Sequence, residues 1–310
     1  MTGFDDVLRG LCSEHGVFFR HEAVALGMTD AALRRGVRSG ELVRVRQGTY
    51  VLGDLWAAAD DKDRHVLLVR GLLRSHGGRV AASHHSASLL HGLDLWEVPL
   101  GRAHVTRLDG GAGRVIADVT HHEGLCLPED LVTHEGLTMT SAVRAAMESA
   151  TLLDVEHALC LVDSGLRLGR FTQEELVGQA ALMTSWPLSL HLELVVRLAD
   201  GRRASVGETR SCHLFWKAGL PAPELQYEVY DGGVLIGITD FAWPALGLLG
   251  EFDGKVKYGR YLRPGEDPGD AVFREKQRED HLRRVTGCAS SGSRGRCCTT
   301  PCAPPRSSGR

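Results

Sequence analysis

The stretch that decides how this chain is interpreted is residues 29–50, which read TDAALRRGVRSGELVRVRQGTY. Thr29 is a favourable helix N-cap and Gly40 a favourable helix end, so the apolar spacing between them predicts a helix over residues 30–39. The alternating pattern of residues 42–52 then predicts a β-hairpin with a Gln-Gly pair at its tip. The stretch is therefore a helix followed at once by a two-stranded hairpin.

Two further helices are predicted in front of this stretch, over residues 4–14 and 19–26. The order of helix, helix, turn, helix and hairpin is typical of a winged helix-turn-helix, a module that binds DNA. This order assigns residues 1–55 to a DNA-binding domain.

Five arginines occupy the third helix and the hairpin. We expect those of the helix to reach the major groove or its flanking phosphates, and those of the hairpin to contact the backbone or the minor groove. They are Arg34, Arg35, Arg38, Arg44 and Arg46. Set against Asp30 and Glu41, the five arginines leave a local charge of +3 in a chain whose net charge is −3. The alternative is an ordinary solvated helix face beside a generic hairpin.

Composition limits the remaining functional classes. The chain has 310 residues, of which 43% are hydrophobic and 24% charged, as expected of a globular protein with two or three domains. The acidic start argues against a signal peptide, and no apolar run is long enough for a membrane span. A cytoplasmic location is therefore expected. The eight cysteines form neither a disulfide framework nor paired CxxC ligands. A count of 31 Arg against 5 Lys, with no Asn, indicates a GC-rich, actinobacterial type of gene.

The central region, residues 56–199, is predicted to be α+β. Seven of the 15 histidines lie between His84 and His134, which raises the question of a metal site. No HxxxH or HExxH spacing is present, and only His84 and His91 are separated by whole helical turns. Structural or surface histidines are therefore expected here.

An unusual acidic pattern follows in residues 200–284. A predicted helix carries Glu208, and the apolar runs GITDFAWP (residues 237–244) and LLGEFDGK (residues 248–255) predict adjacent strands. Alternation along the second strand places its acids and a lysine on one face, beside Asp240 of the first strand. Clustered carboxylates repel one another unless a cation offsets them, so the pattern predicts a nuclease-type site with Mg²⁺ or Mn²⁺. The acids and the lysine on this face of the second strand are Glu251, Asp253 and Lys255.

Two family resemblances add to this interpretation. Residues 4–52, most sharply GVRSGELVRVRQGTY at residues 36–50, resemble the N-terminal winged-helix domain of AbiEi-type antitoxins. In type IV toxin–antitoxin systems this domain binds the promoter of its own operon as a repressor. The sequence ASHHSASLLHG at residues 82–92 resembles the segment that follows this domain in actinobacterial relatives. The resemblance implies double-stranded DNA and a cognate toxin as partners.

The acidic segment is similar to the very-short-patch-repair and restriction-endonuclease-like superfamily, written PD-(D/E)XK. That resemblance implies Asp240 and Glu251 as metal ligands and Glu208 as the additional acid of the first helix. The lysine position is ambiguous, because Asp253 stands where lysine is expected while Lys255 and Lys257 lie further along the same face. A nuclease fold that has lost catalysis and serves as a binding platform is the alternative.

The tail, residues 285–310, contains no Asp, Glu or Lys and no large apolar residue after Val285. Such a composition forms no core and is expected to be disordered. A shifted reading frame in a GC-rich gene yields this mixture of residues, and a natural disordered or cysteine-rich metal-binding tail is the alternative.

Together these observations predict an α+β multidomain chain with an N-terminal winged helix, a central α+β region, a restriction-endonuclease-like domain and a disordered tail. The first functional hypothesis is a DNA-binding, AbiEi-like antitoxin and transcriptional regulator of a toxin–antitoxin or phage-defence system. A Mg²⁺-dependent DNA endonuclease is the second hypothesis, and a scaffold that binds a toxin is a weaker third.

Overall fold

The computed structural model describes residues 2–252 and 289–293. The chain forms two compact units, Met1–Arg197 and Leu198–Arg310. Asp253, Lys255, Lys257 and most of the tail lie outside the described residues, and so does the helix expected over residues 273–284. Within the part that the structure describes, no helix is both long and apolar enough to cross a membrane.

The first unit begins with three helices and a small antiparallel sheet of order β1-β3-β2. The elements are α1 Thr2–His15, β1 Phe18–Phe19, α2 Arg20–Ala25, α3 Asp30–Ser39, β2 Leu42–Arg46 and β3 Thr49–Leu52. The hydroxyl oxygen of Thr29 accepts a hydrogen bond from the Ala32 amide at 3.2 Å, and Gly40 ends α3 with φ at 82°. The predicted cap, helix end and hairpin are therefore confirmed.

The rest of the first unit consists of a six-stranded sheet and several helices. The strand order of the sheet is β6-β7-β5-β4-β9-β8. Short 3-10 turns cover Pro128–Asp130 in this unit and Pro244–Leu246 in the second. The strands of the sheet are β4 Val80–Ala82, β5 Ala103–Arg107, β6 Arg114–Ile116, β7 Val119–His122, β8 Leu131–His134 and β9 Leu137–Thr140. The helices are α4 Gly53–Ala58, α5 Asp61–His76, α6 His84–Leu90, α7 Ala142–Ala150, α8 Val155–Arg167, α9 Gln173–Leu182 and α10 Leu192–Leu198.

The N-terminal elements pack against α5 and the six-stranded sheet. Val45 of β2 packs against both the N-terminal core and the core of the central sheet. Arg74 of α5 donates to the Val17 carbonyl at 2.7 Å and to Glu22 Oε1 at 2.6 Å, and its guanidinium lies over the Phe19 ring. Residues on both sides of position 55, where the sequence suggests a boundary, therefore belong to one compact unit.

In its described residues, 198–252 and 289–293, the second unit has a helix that packs on a four-stranded sheet of order β10-β11-β12-β13. Its elements are α11 Val206–Lys217, β10 Glu224–Asp231, β11 Val234–Trp243, β12 Leu248–Phe252 and β13 Ala289–Ser293. Cys212 and Phe215 of α11 pack with Phe241 and Phe252 of the sheet. A Cβ atom on Gly207 would lie 2.0 Å from the Phe252 ring, so glycine is required for this close approach of helix and strand.

The strand β13 lies in the tail that the composition predicts to be disordered. It pairs in parallel with β12, with Ala289 opposite Leu248. A β-ladder is built from backbone hydrogen bonds, which small polar residues donate and accept as well as apolar ones. The prediction of disorder is therefore wrong for Ala289–Ser293, and the remaining tail residues are outside the described ones.

Candidate nucleic-acid interface

Helix α3 presents three arginines to solvent because its other face is anchored. Leu33 and Gly36 are buried, and a Cβ atom on Gly36 would lie 2.9 Å from the Leu42 side chain. The helix therefore packs tightly against β2 along that face. The arginines stand on the opposite side, where all three are exposed, and we call Arg34, Arg35 and Arg38 the arginine surface.

A bidentate ion pair fixes the start of α3 against the start of α2. Arg20 Nε and Nη2 donate to the two carboxylate oxygens of Asp30 at 2.7 and 2.6 Å. These hydrogen bonds lower the pKa of the Asp30 carboxyl below its ordinary value. The pair thereby joins the first turns of α2 and α3 at the surface.

The two arginines of the hairpin occupy different environments. Arg44 is exposed, and its Nε lies 3.4 Å from the backbone oxygen of Arg46. Arg46 is partly buried, and its Nε lies 3.3 Å from Oδ1 of Asp118. Four of the five predicted DNA-contacting arginines are thus exposed, while the fifth is held in an ion pair.

In the second unit, the sheet brings two of the predicted acids together. Because Phe241 pairs with Gly250 in the antiparallel ladder, Asp240 and Glu251 stand in opposing positions one residue further along. Asp240 Oδ2 also accepts a hydrogen bond from the Phe252 amide at 2.7 Å. Asp240 lies within β11, three residues before the strand ends at Trp243.

Glu208 is buried at the start of α11, where three protein groups hydrogen-bond its carboxylate. The Ala204 amide and Gln226 Nε2 donate to Oε2 at 2.8 and 2.9 Å, and the Ser205 hydroxyl donates to Oε1 at 2.9 Å. The Ser205 hydroxyl oxygen also accepts from the Glu208 amide at 3.2 Å. The Ser-x-x-Glu spacing at residues 205–208 is a known helix-start signal, and it would have predicted this role from sequence.

The two predicted divalent-cation ligands, Asp240 and Glu251, both lie in the described part of the chain. Within residues 2–252 and 289–293, no group of three or more His, Cys, Asp or Glu side chains is arranged to hold a metal ion. Both Glu208 oxygens accept hydrogen bonds from protein donors, and its role as the additional acid of the site stays a prediction. Because Asp253 and Lys255 lie outside the described residues, the Mg²⁺ or Mn²⁺ site stays a prediction.

A group of buried and partly buried polar side chains, which sequence reasoning missed as a unit, lies between the central sheet and α5, α6 and α7. We call it the polar cluster. Its members are His65, His84, His85, His104, His122, Arg144 and Glu148. The Arg144 and Glu148 pair stands four residues apart on α7, a spacing that brings side chains together on a helix and could have indicated the pair.

Contacts within the polar cluster are short. His104 Nδ1 lies 2.9 Å from His122 Nε2, and the His84 ring stacks on the His122 ring with 3.6 Å between centroids. Arg144 Nε donates to Glu148 Oε1 at 2.9 Å, and the His84 amide donates to Glu148 Oε2 at 3.3 Å. His85 Nδ1 is buried, and none of the described residues forms a hydrogen bond with it.

Burial sets the ionisation of the polar cluster. It lowers the pKa of His85 to about 4, that of His104 to about 3 and that of His122 to about 4. Burial also raises the pKa of Glu148 above its ordinary value, although Arg144 opposes this shift. The histidines are therefore neutral at pH 7, as structural side chains of a core are.

Comparison with known proteins identifies the segment that carries the arginine surface. Residues 12–53 match the model of a family described as "Transcriptional regulator, AbiEi antitoxin". The segment is similar to the AbiEi antitoxin regulators over these residues. The match begins near the end of α1 and ends just after β3, so it includes α2, α3 and the hairpin. It supports the resemblance drawn from residues 4–52.

Two curated relatives cover a larger part of the chain. They are the uncharacterized proteins MT2308 and Rv2248 of Mycobacterium tuberculosis, strains CDC 1551 and H37Rv. Each is 29% identical over 229 residues, which is 73% of this chain and 79% of the relative. A solved structure, that of the RV2827C protein from the same organism, aligns with a TM-score of 0.41 and 16% identity, covering 73% of this chain and 88% of the other.

Proposed function

We propose that this chain binds double-stranded DNA through α3 and the β2–β3 hairpin, as a winged helix-turn-helix, and acts as a transcriptional regulator of the AbiEi antitoxin type. The observation that carries the proposal is the arginine surface, three exposed guanidinium groups on one rigidly held helix within the segment that matches the antitoxin regulators. The system it would regulate is a toxin–antitoxin or phage-defence operon.

The dimensions and chemistry of α3 suit a DNA groove. The major groove of B-form DNA is about 12 Å wide and admits one α-helix. Arginine forms bidentate hydrogen bonds with guanine edges and with phosphate oxygens, so Arg34, Arg35 and Arg38 could supply either kind of contact. Leu33 on the opposite face keeps the helix attached to the core while the exposed face is occupied.

Charge supports the same interface. The chain has a net charge of −3, so the molecule as a whole does not attract a polyanion. Residues 29–50 carry five arginines against two acids, a local charge of +3. We therefore expect DNA affinity to depend on this patch and to fall steeply as salt concentration rises.

The test is a titration of the full chain with a duplex taken from directly upstream of its own gene, beside an unrelated duplex of equal length. The triple variant Arg34→Ala, Arg35→Ala, Arg38→Ala should lower the logarithmic salt slope by about two to three, because each lost phosphate contact removes about one unit. The matched control is Arg102→Ala, Arg170→Ala, Arg197→Ala, which removes the same charge at three exposed positions. Equal binding by parent and triple variant would contradict the proposal.

The second candidate is a metal-dependent DNA endonuclease in the second unit. The observation that favours it is the opposing register of Asp240 and Glu251, since facing carboxylates are costly without a cation. The test is Mg²⁺ or Mn²⁺ titration by calorimetry together with plasmid nicking, for the parent, Asp240→Asn and the control Asp231→Asn. Metal-dependent nicking that is lost only in Asp240→Asn would support the enzyme, and absence of both metal binding and nicking in the parent would exclude it.

The antitoxin resemblance also supports a cognate toxin as a partner, encoded beside this gene. Expression of the neighbouring gene alone should slow growth, and coexpression with this chain should restore it. Unimpaired growth with the neighbouring gene alone would contradict this part of the proposal.

A further inference from the structure

The last arginine of the hairpin is aimed at the central sheet. The pairing of β2 with β3 shifts register between Arg44 and Arg46, and such a bulge redirects the side chain that follows it. The Arg46 guanidinium thereby approaches Asp118 in the turn between β6 and β7, with 3.3 Å between Nε and Oδ1. This ion pair joins the predicted DNA-binding hairpin to the central sheet.

Both partners are held in place by the backbone around them. The Asp118 carbonyl accepts a hydrogen bond from the Ala103 amide at 2.7 Å, which fixes the turn against β5. On the hairpin side, Val45 packs in both cores, and a Cβ atom on Gly71 of α5 would lie 2.8 Å from the Thr49 methyl group. The hairpin therefore cannot swing away from the sheet without breaking core contacts.

The pair is nevertheless accessible to a ligand. The side chain of Arg46 is 24% exposed and that of Asp118 is 31% exposed. A phosphate oxygen and a carboxylate oxygen compete for the same donors of a guanidinium group. A phosphate that approached Arg46 would also meet the negative charge of Asp118 close by, which raises the cost of that contact.

We propose that Asp118 is an internal competitor for DNA phosphate at Arg46, so that the central sheet sets the affinity of the hairpin for DNA. This inference rests on the proposed function, because it needs the hairpin to contact DNA. Its consequence is a gain of affinity when the carboxylate is neutralised. A purely structural ion pair would instead give a loss or no change.

The experiment uses the full chain and a duplex from directly upstream of its own gene, titrated at several salt concentrations. Asp118→Asn keeps the shape of the side chain and removes its charge. We expect it to bind about two- to fivefold more tightly, the range that a partly exposed ion pair supports, and to steepen the logarithmic salt slope by up to about one unit. The control Asp61→Asn makes the same change in net charge at a carboxylate that is 91% exposed on α5.

A double-mutant cycle tests whether the gain in affinity comes from Arg46, once its ion pair with Asp118 is removed. Arg46→Ala should weaken binding more in the Asp118→Asn background than in the parent. If the parent binds DNA but Asp118→Asn binds no more tightly than Asp61→Asn, the inference is wrong while the proposed function stands. If neither the parent nor Asp118→Asn binds DNA, both are wrong. Binding by Asp118→Asn alone would support both.

Discussion

The arginine surface and the polar cluster lie in the same compact unit, yet they use charge in opposite ways. The guanidinium groups of Arg34, Arg35 and Arg38 stand on an exposed helix face. In the polar cluster, Arg144 and Glu148 are buried and hydrogen-bonded to each other. The difference indicates which charges can serve a ligand, because a buried and paired charge stabilises the fold only as long as its partner is present.

We expect the largest loss of stability when the buried pair of Arg144 and Glu148 is broken. Glu148→Ala removes one of the two carboxylates that pair with the buried Arg144, whose ion pair with Asp130 remains. It also removes the acceptor for the Thr140 hydroxyl and the His84 amide. We expect the free energy of unfolding to fall by about 3–5 kcal/mol, measured by denaturant titration.

Two observations on Glu148→Ala would separate the regions. At a temperature where the variant is still folded, DNA binding should stay within about twofold of the parent, because the arginine surface is unchanged. A stability loss below about 1 kcal/mol would contradict the assignment of Glu148 as a structural charge.

The histidines of the polar cluster should make the protein less stable at acidic pH. His85, His104 and His122 have folded-state pKa values of about 3 to 4, below the ordinary value of about 6.5 that applies to the unfolded chain. The unfolded chain therefore binds more protons across this window. The stabilisation is complete above about pH 6.5 and is lost as the pH falls toward about 4.

The raised pKa of Glu148 acts in the opposite direction and offsets part of this loss near the lower end of the window. A net fall on the order of a few kcal/mol is expected between pH 7 and pH 4.5, measured by denaturant unfolding at each pH. His122→Asn should make the pH dependence shallower. A flat profile between pH 7 and pH 5 would show that these histidines are not held neutral by the fold.

A smaller effect is expected in the second unit. Glu208→Ala leaves the Ala204 amide, the Ser205 hydroxyl and the Gln226 amide group without their acceptor. The expected loss is about 1–3 kcal/mol, and Glu208→Gln, which retains an acceptor oxygen, should lose less. If Glu208→Ala were instead more stable than the parent without metal, the carboxylate would be a strained ligand and the nuclease interpretation would gain weight.

Local signals explain what the sequence could predict. Thr29 and Gly40 define α3 through their own side-chain and backbone preferences, so its bounds were predictable. The same is true of the β2–β3 hairpin, whose turn and alternation lie within a dozen residues. The arginine surface follows directly, because a helix with a buried Leu33 must expose the positions on its other side.

The remaining features depend on contacts between distant segments. The strands β4, β8 and β9 are short, and β4 is held between β5 and β9, which come later in the chain. Strand β13 forms by pairing with the edge of β12, and this pairing cannot be predicted from the composition of the tail. The Asp118 contact with Arg46 joins residues 72 positions apart, so the sequence predicted Arg46 as a DNA contact without showing its partner.

The measurement that tests the central claim most directly is amide hydrogen exchange of the full chain with and without the upstream duplex. We predict that DNA slows exchange in α3 and the β2–β3 hairpin, residues 30–52, and that the Arg34→Ala, Arg35→Ala, Arg38→Ala variant loses this protection. We expect no DNA-dependent change in α7, which carries the buried Arg144 and Glu148 pair. Protection confined to residues 224–252 of the second unit, with α3 unaffected, would contradict the account.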